Sequence, residues 1–182
     1  MDSVNWIAIL DFGSQVTQLI ARRIRENNIY CEIVRFDIDP LELKKRNPKG
    51  IILSGGPCCV NDTDSPHCSD KIFELGIPIL GICYGLQLTA LKFNSNVEAG
   101  NKHEYGKALM RIIKDSPLFQ NISNPSKVWM SHGDKVSCLP DGFDLIAESD
   151  NCPIAAIQNT KLKIYGVQFH PEVVHTPEGK EI

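Results

Sequence analysis

The sequence predicts an α/β protein with a mostly parallel central sheet, flanked by helices and extended by antiparallel strands. Two observations predict this class. In the first half of the chain, apolar runs alternate four times with segments of helical or turn-like character, and in the second half shorter strand-like runs are separated by turn residues. Alternating strands and helices are typical of βαβ units, whose parallel strands are buried on both faces.

The first half contains four strand-like runs. They are residues 4–10, 29–36, 50–57 and 77–82. Apolar residues at helical spacing predict a helix over residues 15–27, namely Val16, Leu19, Ile20 and Ile24. The segments 40–46 and 69–76 predict two short helices, the second closed by Gly76. A further helix is predicted directly after the fourth run, from Tyr84.

The second half contains five shorter strand-like runs. They are residues 107–113, 127–132, 144–149, 153–159 and 163–169. Turn residues such as Asn124-Pro125 and Asp141-Gly142 separate them. Short connections suit antiparallel neighbours, so we expect antiparallel strands throughout this half. No repeat or Pro/Ser-rich linker divides the chain, which predicts one domain over residues 1–182.

Charge and hydropathy disfavour several functional classes. The formal net charge is −3, so there is no basic excess of the kind that attracts nucleic acid or anionic lipid. No apolar stretch approaches the roughly 18 residues that a membrane span needs, and the N-terminus lacks a signal-peptide pattern. We therefore expect a cytoplasmic protein with no nucleic-acid and no membrane partner.

The cysteine content indicates reduced thiols. Seven cysteines are an odd number, and no secretion signal accompanies them, which argues against a disulfide framework. Cys58, Cys59, His67 and Cys68 are close in sequence, but their spacing fits no zinc pattern. We interpret them as loop and core residues and expect no metal site.

A glycine-flanked cysteine stands between the fourth strand and the following helix. The stretch Gly81-Ile82-Cys83-Tyr84-Gly85 has the G-x-C-x-G pattern of a nucleophile elbow, in which a strained turn lifts the nucleophile above the sheet. Side chains at positions 81 and 85 would collide where strand and helix approach each other. The helix N-terminus would favour a thiolate. A buried cysteine at a tight turn is the alternative, and the pentapeptide alone leaves both open.

One of the five histidines has an acidic residue in a suitable position. His170 ends an apolar run, and Glu172 follows two residues later across Pro171. In extended backbone these two side chains point the same way, which is the arrangement of a base and its orienting carboxylate. A histidine that ends a strand is more often structural. Together with the elbow, however, the pattern predicts a triad of Cys83, His170 and Glu172.

A nucleophile of this kind also needs donors for a developing oxyanion. Gly55-Gly56-Pro57 ends the third strand-like run and could expose main-chain N–H groups. The N–H of Tyr84, directly after the cysteine, is the usual second donor at such an elbow. An ordinary turn is an equally good interpretation of the glycines by themselves.

These three motifs, in this order, resemble the class I (triad) glutamine amidotransferases over essentially the whole chain, and the resemblance implies a flavodoxin-like architecture. The segments that carry it are ILDFGSQ, SGGP, LGIPILGICYGLQ, EYG, VWMSHGD and GVQFHPEVVHTPEGKEI. They are similar to the amidotransferase domains of glutamine-hydrolysing GMP synthases. His-Pro-Glu-Val-x-His-Thr is the most discriminating of them.

The resemblance implies a role for each triad residue. Cys83 would attack the side-chain amide of glutamine and form a γ-glutamyl thioester, which water hydrolyses to glutamate. His170 would pass a proton to the departing ammonia, and Glu172 would orient the imidazole. The N–H groups of Gly56 and Tyr84 would hold the oxyanion.

The resemblance also implies a substrate-binding set and a partner. Gln87 and the main chain of Ser131 and His132 match positions that hold the α-amino and carboxylate groups of glutamine. For Gln87 alone, a solvated helix position is an equally good interpretation. The ammonia would serve an ATP-pyrophosphatase domain that aminates xanthosine monophosphate to GMP. We expect that domain, with its ATP and Mg²⁺, to be absent from this chain, which would itself bind no cofactor. An excised domain is favoured over a separate subunit.

The sequence departs from the family pattern at two places, and several rival functions remain open. Cys58-Cys59 stand where the relatives usually have a small residue and serine, and His103 precedes Glu104 where arginine is common. The first departure raises the hypothesis of a redox-sensitive loop. The rivals are an amidotransferase subunit with another acceptor, a γ-glutamyl peptidase-type cysteine hydrolase, and a non-catalytic module. A flavodoxin-like electron carrier is disfavoured, because DFGSQ replaces the phosphate-binding loop.

Overall fold

The structure is a computed structural model, and it describes residues 5–182, except for the side chains of residues 101–104. Val4, the expected start of the first strand, and the side chains of His103 and Glu104 lie outside the described residues. The elements are β1 (Trp6–Asp11), α1 (Thr17–Glu26), β2 (Tyr30–Arg35), α2 (Pro40–Arg46), β3 (Gly50–Leu53), β4 (Ile79–Ile82), α3 (Tyr84–Lys92), β5 (Val97–Ile112), β6 (Ser126–Val136), β7 (Asp144–Glu148), β8 (Ala156–Asn159) and β9 (Ile164–Val167). Two 3₁₀ helices span Asp70–Glu74 and Pro117–Phe119.

The strands form one mixed sheet in the order β2-β1-β3-β4-β9-β8-β7-β5-β6. From β2 to β9 the neighbouring strands are parallel, and from β9 to β6 they are antiparallel. The predicted α/β class with a mostly parallel part and an antiparallel extension is confirmed.

The direction of β9 corrects one expectation. We expected antiparallel pairing throughout the second half, but β9 is antiparallel only to β8 and lies parallel to β4, with Gly81 opposite Gly166. Turn residues report only on consecutive strands, so they carry no signal for a pairing between strands far apart in sequence. This pairing matters for function because it places the carboxyl ends of β4 and β9 side by side. Cys83 follows the first of these ends and His170 the second.

The helices cover both faces of the parallel strands. Ala8 and Leu10 of β1 belong to the core cluster that contains Leu86 of α3 and Leu43 of α2. Ile9, which points the opposite way, belongs to the second cluster, together with Ile20 of α1. Alternate residues of a strand point to opposite faces of the sheet. Because both faces of β1 are buried, its sequence is a continuous apolar run.

Two elements differ in type or length from their predictions. The expected helix over residues 69–76 is a 3₁₀ helix of five residues, Asp70–Glu74, whose N-cap Ser69 accepts a hydrogen bond from Lys71. So short a segment is typical of 3₁₀ geometry. β5 begins at Val97, ten residues before the expected strand at 107. The sequence did not predict this first part of the strand, because residues 97–106 lack an alternating apolar pattern. None of the helices in residues 5–182 has the length and hydrophobicity of a membrane-spanning segment.

Candidate active site

Cys83 occupies a strained turn between β4 and α3. Its φ is 52° and its ψ is −102°, values that side-chain-bearing residues rarely adopt. The turn is held on both sides, because the Cys83 N–H donates to the Val167 carbonyl at 2.8 Å and the Cys83 carbonyl accepts from the Gln87 N–H at 3.1 Å. The predicted elbow geometry is present, with the cysteine at the N-terminus of a helix.

The two flanking glycines are required by close backbone contact. A Cβ atom at Gly81 would lie 2.5 Å from the Gly85 carbonyl oxygen, and one at Gly85 would lie 2.4 Å from the Leu53 carbonyl oxygen. Both distances are shorter than real Cβ contacts. The start of α3 therefore packs directly on β3 and β4, which fixes the position of the nucleophile.

The Cys83 sulfur is buried and has three polar neighbours. Its Sγ lies 3.8 Å from the Ser131 carbonyl oxygen, to which it donates, and 3.6 Å from Nε2 of Gln168, from which it accepts. The His170 imidazole lines the same cavity as Cys83, and the nearby Cys83 side chain contributes to raising the pKa of that imidazole. Gln168, which is fully buried, is not among the residues predicted from the sequence. Its signal was the alternation along the strand end, since residues 168 and 170 point the same way.

His170 and Glu172 are joined as the sequence predicts. Nδ1 of His170 lies 2.7 Å from Oε1 of Glu172, and both side chains are buried. The second carboxylate oxygen, Oε2, has no hydrogen-bond partner in the described part of the chain. Arg23 of α1 donates to the Glu172 main-chain carbonyl at 3.1 Å, which ties this segment to the helix. The structure brings the three residues together, because His170 is hydrogen-bonded to Glu172 and lines the same cavity as Cys83.

The position of His170 is also fixed through its backbone. Its N–H donates to the Trp129 carbonyl of β6 at 3.0 Å. Thr176, six residues later, donates from Oγ1 to the His170 carbonyl at 2.7 Å and accepts from the Trp129 N–H at 3.0 Å. Thr176 has no role that the sequence alone predicts, because a buried threonine in a loop has no pattern that reveals its partners.

The charge of the imidazole follows from these contacts. Burial disfavours the imidazolium, but hydrogen bonds with Cys83 and Glu172, and the charges of those groups, outweigh it and raise the pKa of His170 to about 10. His170 therefore carries a proton at neutral pH. Such a proton is available to a leaving group bound at Cys83.

His132 behaves differently. Burial is the largest influence on it and lowers its pKa, and the nearby positive charge of His170 adds to that effect. Its Nδ1 lies 3.0 Å from the Asp134 carbonyl oxygen. A neutral imidazole held against the main chain suits a wall of a binding pocket better than a proton-transfer role.

The expected oxyanion donors lie beside the nucleophile. Tyr84 is the first residue of α3, so its N–H belongs to the first-turn donors that a helix leaves without an intrahelical acceptor. Gly56 follows β3 and packs against the Tyr84 ring, where a Cβ atom would lie 3.1 Å from Cγ. The Tyr84 hydroxyl is anchored by donating to the Pro66 carbonyl at 2.8 Å.

Two cavities meet at Cys83. Four residues line both of them, namely Gly56, Pro57, Cys83 and Ser131. The first, which we call the Gln87 cavity, has a volume of about 320 Å³, and its other lining residues are Cys58, Cys59, Tyr84, Gln87, Tyr105, His132, Gly133 and Asp134. The second, the His170 cavity, has a volume of about 250 Å³, and its other lining residues are Ser14, Gln15, Val16, Trp129, His170 and Val173. The candidate nucleophile is therefore reachable from two sides.

The three residues expected to bind substrate all line the Gln87 cavity. Gln87 is 4% exposed, which excludes the solvated-helix interpretation, and its Nε2 donates to the Asp134 carbonyl at 3.0 Å. Ser131 and His132 contribute the adjacent stretch of β6. The structure thus brings Gln87, Ser131 and His132 to one side of the cysteine.

The remaining thiols form no bonded group. None of the seven cysteines forms a disulfide. Cys58 is exposed. The pKa of Cys59 is raised, mainly by a hydrogen bond to the Asp134 side chain and to a smaller extent by burial. His67 contacts the Ser65 hydroxyl and the Val60 carbonyl instead of a cysteine. Among the side chains that the structure describes, those of residues 5–100 and 105–182, no group of three or more His, Cys, Asp or Glu is arranged to hold a metal ion.

The family model and the most similar curated proteins that we describe agree on one family. The model of the class-I glutamine amidotransferase family matches residues 8–182. A GMP synthase [glutamine-hydrolyzing] of Caldanaerobacter subterraneus subsp. tengcongensis is 55% identical over 176 residues, covering 97% of this chain and 34% of that protein. The corresponding protein of Brucella melitensis biotype 1 is 54% identical over 179 residues, covering 97% of this chain and 35% of that protein. The chain thus spans about a third of the length of these curated relatives.

Solved structures show the same relationship. A crystal structure from Thermoplasma acidophilum, described as that of a candidate GMP synthase subunit, is 31% identical, with a TM-score of 0.85, and covers 100% of this chain and 91% of that one. A glutamine amidotransferase from Thermotoga maritima is 23% identical, with a TM-score of 0.71, and covers 95% of this chain and 78% of that one. The second likeness shows the fold alone.

Proposed function

Because this chain belongs to the class-I glutamine amidotransferases, we propose that it hydrolyses glutamine to glutamate and ammonia through a γ-glutamyl thioester on Cys83. One observation carries the proposal. The strained cysteine at the start of α3 lines the same cavity as His170, which is hydrogen-bonded to Glu172 and carries a proton at neutral pH. A cysteine, a base and an orienting carboxylate in this order are the parts that covalent acyl transfer needs.

The first half-reaction forms the thioester. The Cys83 thiolate attacks the side-chain amide carbon, and the carbonyl oxygen becomes an oxyanion that the N–H groups of Gly56 and Tyr84 stabilise. His170 donates its proton to the amide nitrogen, the C–N bond breaks, and ammonia departs. Glu172 keeps the imidazole oriented and stabilises its positive charge.

The second half-reaction releases glutamate. Water attacks the thioester carbon while His170 accepts a proton from it, and the C–S bond then breaks. In this scheme Gln87 and the main chain at Ser131 and His132 hold the α-amino and carboxylate groups of glutamine, within the Gln87 cavity. That assignment places the scissile amide at Cys83 and the charged end of the substrate away from the imidazole.

We further propose that the ammonia aminates xanthosine monophosphate to GMP. The support is the similarity to proteins named glutamine-hydrolysing GMP synthases, of which this chain covers about a third. The remaining length of such a protein would hold the ATP-pyrophosphatase domain, as part of the same chain or as a separate subunit, and that domain would bind ATP and Mg²⁺. The glutaminase part would need no metal or cofactor of its own and would work in the cytoplasm.

The deciding experiment is covalent labelling with a diazo-ketone analogue of glutamine, followed by intact-mass spectrometry and peptide mapping. We expect one adduct, on Cys83, and none on the Cys83→Ala variant. Absence of an adduct, even with an ATP-pyrophosphatase domain, ATP and xanthosine monophosphate present, would refute the amidotransferase function. Cleavage of γ-glutamyl peptides without release of ammonia from glutamine would select the rival peptidase-type hydrolase.

A further inference from the structure

The catalytic residues divide unequally between the two cavities that meet at Cys83. His170 lines only the His170 cavity, whereas Gln87, His132 and Tyr84 line only the Gln87 cavity. The nucleophile lies on the boundary, because Cys83 and Gly56 line both. One side of the site therefore offers a proton and the other offers the groups proposed to bind glutamine.

The stereochemistry of the tetrahedral intermediate assigns a direction to each substituent. The carbon bonded to Cys83 also bears the oxyanion, the aliphatic chain of the substrate and the amide nitrogen. The oxyanion faces the N–H groups of Gly56 and Tyr84, and the chain leads to the Gln87 cavity. The nitrogen must lie within hydrogen-bond reach of His170 to receive its proton. A substituent on that nitrogen would therefore extend into the His170 cavity.

We propose that the His170 cavity is a leaving-group site, and that it lets the enzyme hydrolyse secondary γ-glutamyl amides with small N-alkyl groups as well as glutamine. This inference rests on the proposed glutaminase function. Its volume of about 250 Å³ exceeds what ammonia needs, since a water-sized molecule occupies about 30 Å³ in the liquid. The cavity also reaches the surface, because its lining residue Gln15 is exposed.

The added reaction follows the same balanced steps. The bond between the Cys83 sulfur and the side-chain carbonyl carbon forms, the bond from that carbon to the alkylated nitrogen breaks, and the His170 proton gives a free alkylamine. Water then enters by the path that the amine has vacated, the C–O bond forms, and the C–S bond breaks to release glutamate. No oxidant, metal or co-substrate other than water is required.

Three side chains from separate segments limit the size of the alkyl group. Val16 precedes α1, Trp129 belongs to β6, and Val173 follows Glu172. None of them lines the Gln87 cavity. Changing their volume should therefore alter the acceptance of the leaving group without altering the binding of the γ-glutamyl part.

The test compares kcat/KM for γ-glutamyl ethylamide with kcat/KM for glutamine in the purified chain, with an ATP-pyrophosphatase domain added if turnover requires it. We expect Val173→Phe to lower the ratio of the two values about tenfold or more, as pocket contacts of this size commonly do. Val16→Phe should act in the same direction from a different segment. Val173→Ala should raise the ratio a few-fold.

The matched control is Cys58→Phe, which fills the Gln87 cavity instead. It should lower kcat/KM for both substrates by a similar factor and leave the ratio within about twofold. The inference is overturned if both phenylalanine variants of the His170 cavity keep the original ratio, if Cys58→Phe changes it as they do, or if the unsubstituted enzyme hydrolyses glutamine but no N-alkyl amide. Absence of glutamine hydrolysis under all these conditions would instead refute the proposed function itself.

Discussion

The Thr176 hydroxyl donates a hydrogen bond to the main-chain carbonyl of His170 at 2.7 Å and accepts one from the Trp129 N–H at 3.0 Å. Thr176 is 2% exposed, so water cannot readily replace it. The His170 N–H donates in turn to the Trp129 carbonyl. One buried hydroxyl thus joins the histidine segment to β6, the strand whose Ser131 carbonyl contacts the Cys83 sulfur.

The Thr176→Val variant should show what this connection does. Valine keeps the shape but leaves a buried carbonyl and a buried N–H unpaired, which costs about 2 kcal/mol of unfolding free energy. A small displacement of the imidazole should also lower kcat for glutamine about tenfold or more, with KM nearly unchanged. Urea unfolding and steady-state kinetics measure both effects. Thr176→Ser, which keeps the hydroxyl, should recover most of kcat, and equal losses in the two variants would contradict the positioning role.

The His170 imidazole should remain protonated across the neutral range. Its pKa of about 10 opposes the effect of burial and depends on the hydrogen bonds with Cys83 and Glu172. We therefore expect no imidazole titration between about pH 5 and 8, and a lower pKa in both Cys83→Ala and Glu172→Gln. Nitrogen chemical shifts followed against pH give the value directly. A titration near 6.5 in the unsubstituted protein would contradict the ion-paired arrangement.

The same pKa shift makes a signed prediction about stability. The folded pKa of His170, about 10, lies above its ordinary value of 6.5, so protonation favours the folded state. This contribution is fully present below about pH 6.5 and is lost as the pH rises through about 10. The unfolding free energy of the unsubstituted protein should therefore fall more between pH 7 and 10 than that of His170→Asn. Parallel curves for the two proteins would show that His170 has no such linkage.

The elbow glycines should tolerate no side chain. Gly85→Ala would place a Cβ atom 2.4 Å from the Leu53 carbonyl oxygen, so α3 must move away from β3. We expect a loss of about 3 kcal/mol or more in unfolding free energy, together with loss of labelling at Cys83. Gly76→Ala is the matched control, because its φ is +71° but no atom lies within 4 Å of the added Cβ. It should lose only about 1 to 2 kcal/mol, the cost of the left-handed conformation.

The sequence predicted those parts of the site that depend on local spacing. The glycines around Cys83 and the two-residue offset from His170 to Glu172 are short patterns with a direct geometric meaning. The parallel pairing of β9 with β4 was not predictable in this way, because the two strands are more than 80 residues apart and each resembles an ordinary apolar run. That pairing, rather than either motif, brings the two segments together.

Two residues of the site were not predicted from the sequence for a different reason. Gln168 acts through one side-chain hydrogen bond and Thr176 through two, all to groups on other segments, and their residue types do not reveal these partners. The division of the site into two cavities is likewise a property of packing, since Val16, Trp129 and Val173 come from three separate parts of the chain. Resemblance to a family supplied Gln87, Ser131 and His132, which spacing alone did not single out.

The thiols outside the triad should react with iodoacetamide in an order set by exposure and pKa, which tests the hypothesis of a redox-sensitive loop. Cys138 should react first, because it is exposed and a hydrogen bond with the Ser95 side chain lowers its pKa. Cys58 is exposed and should follow, whereas the hydrogen bond to Asp134 raises the pKa of Cys59 and slows it. Cys68, whose pKa burial raises to about 12, should be slower than Cys59, and the buried Cys31 and Cys152 should be slowest. Peptide mapping over time gives each rate, and Asp134→Asn should accelerate the labelling of Cys59 alone, because it removes the carboxylate that disfavours the thiolate. Equal rates at Cys58 and Cys59, unchanged in that variant, would show that neither thiol is controlled by its surroundings and would reject a selective redox response in this loop.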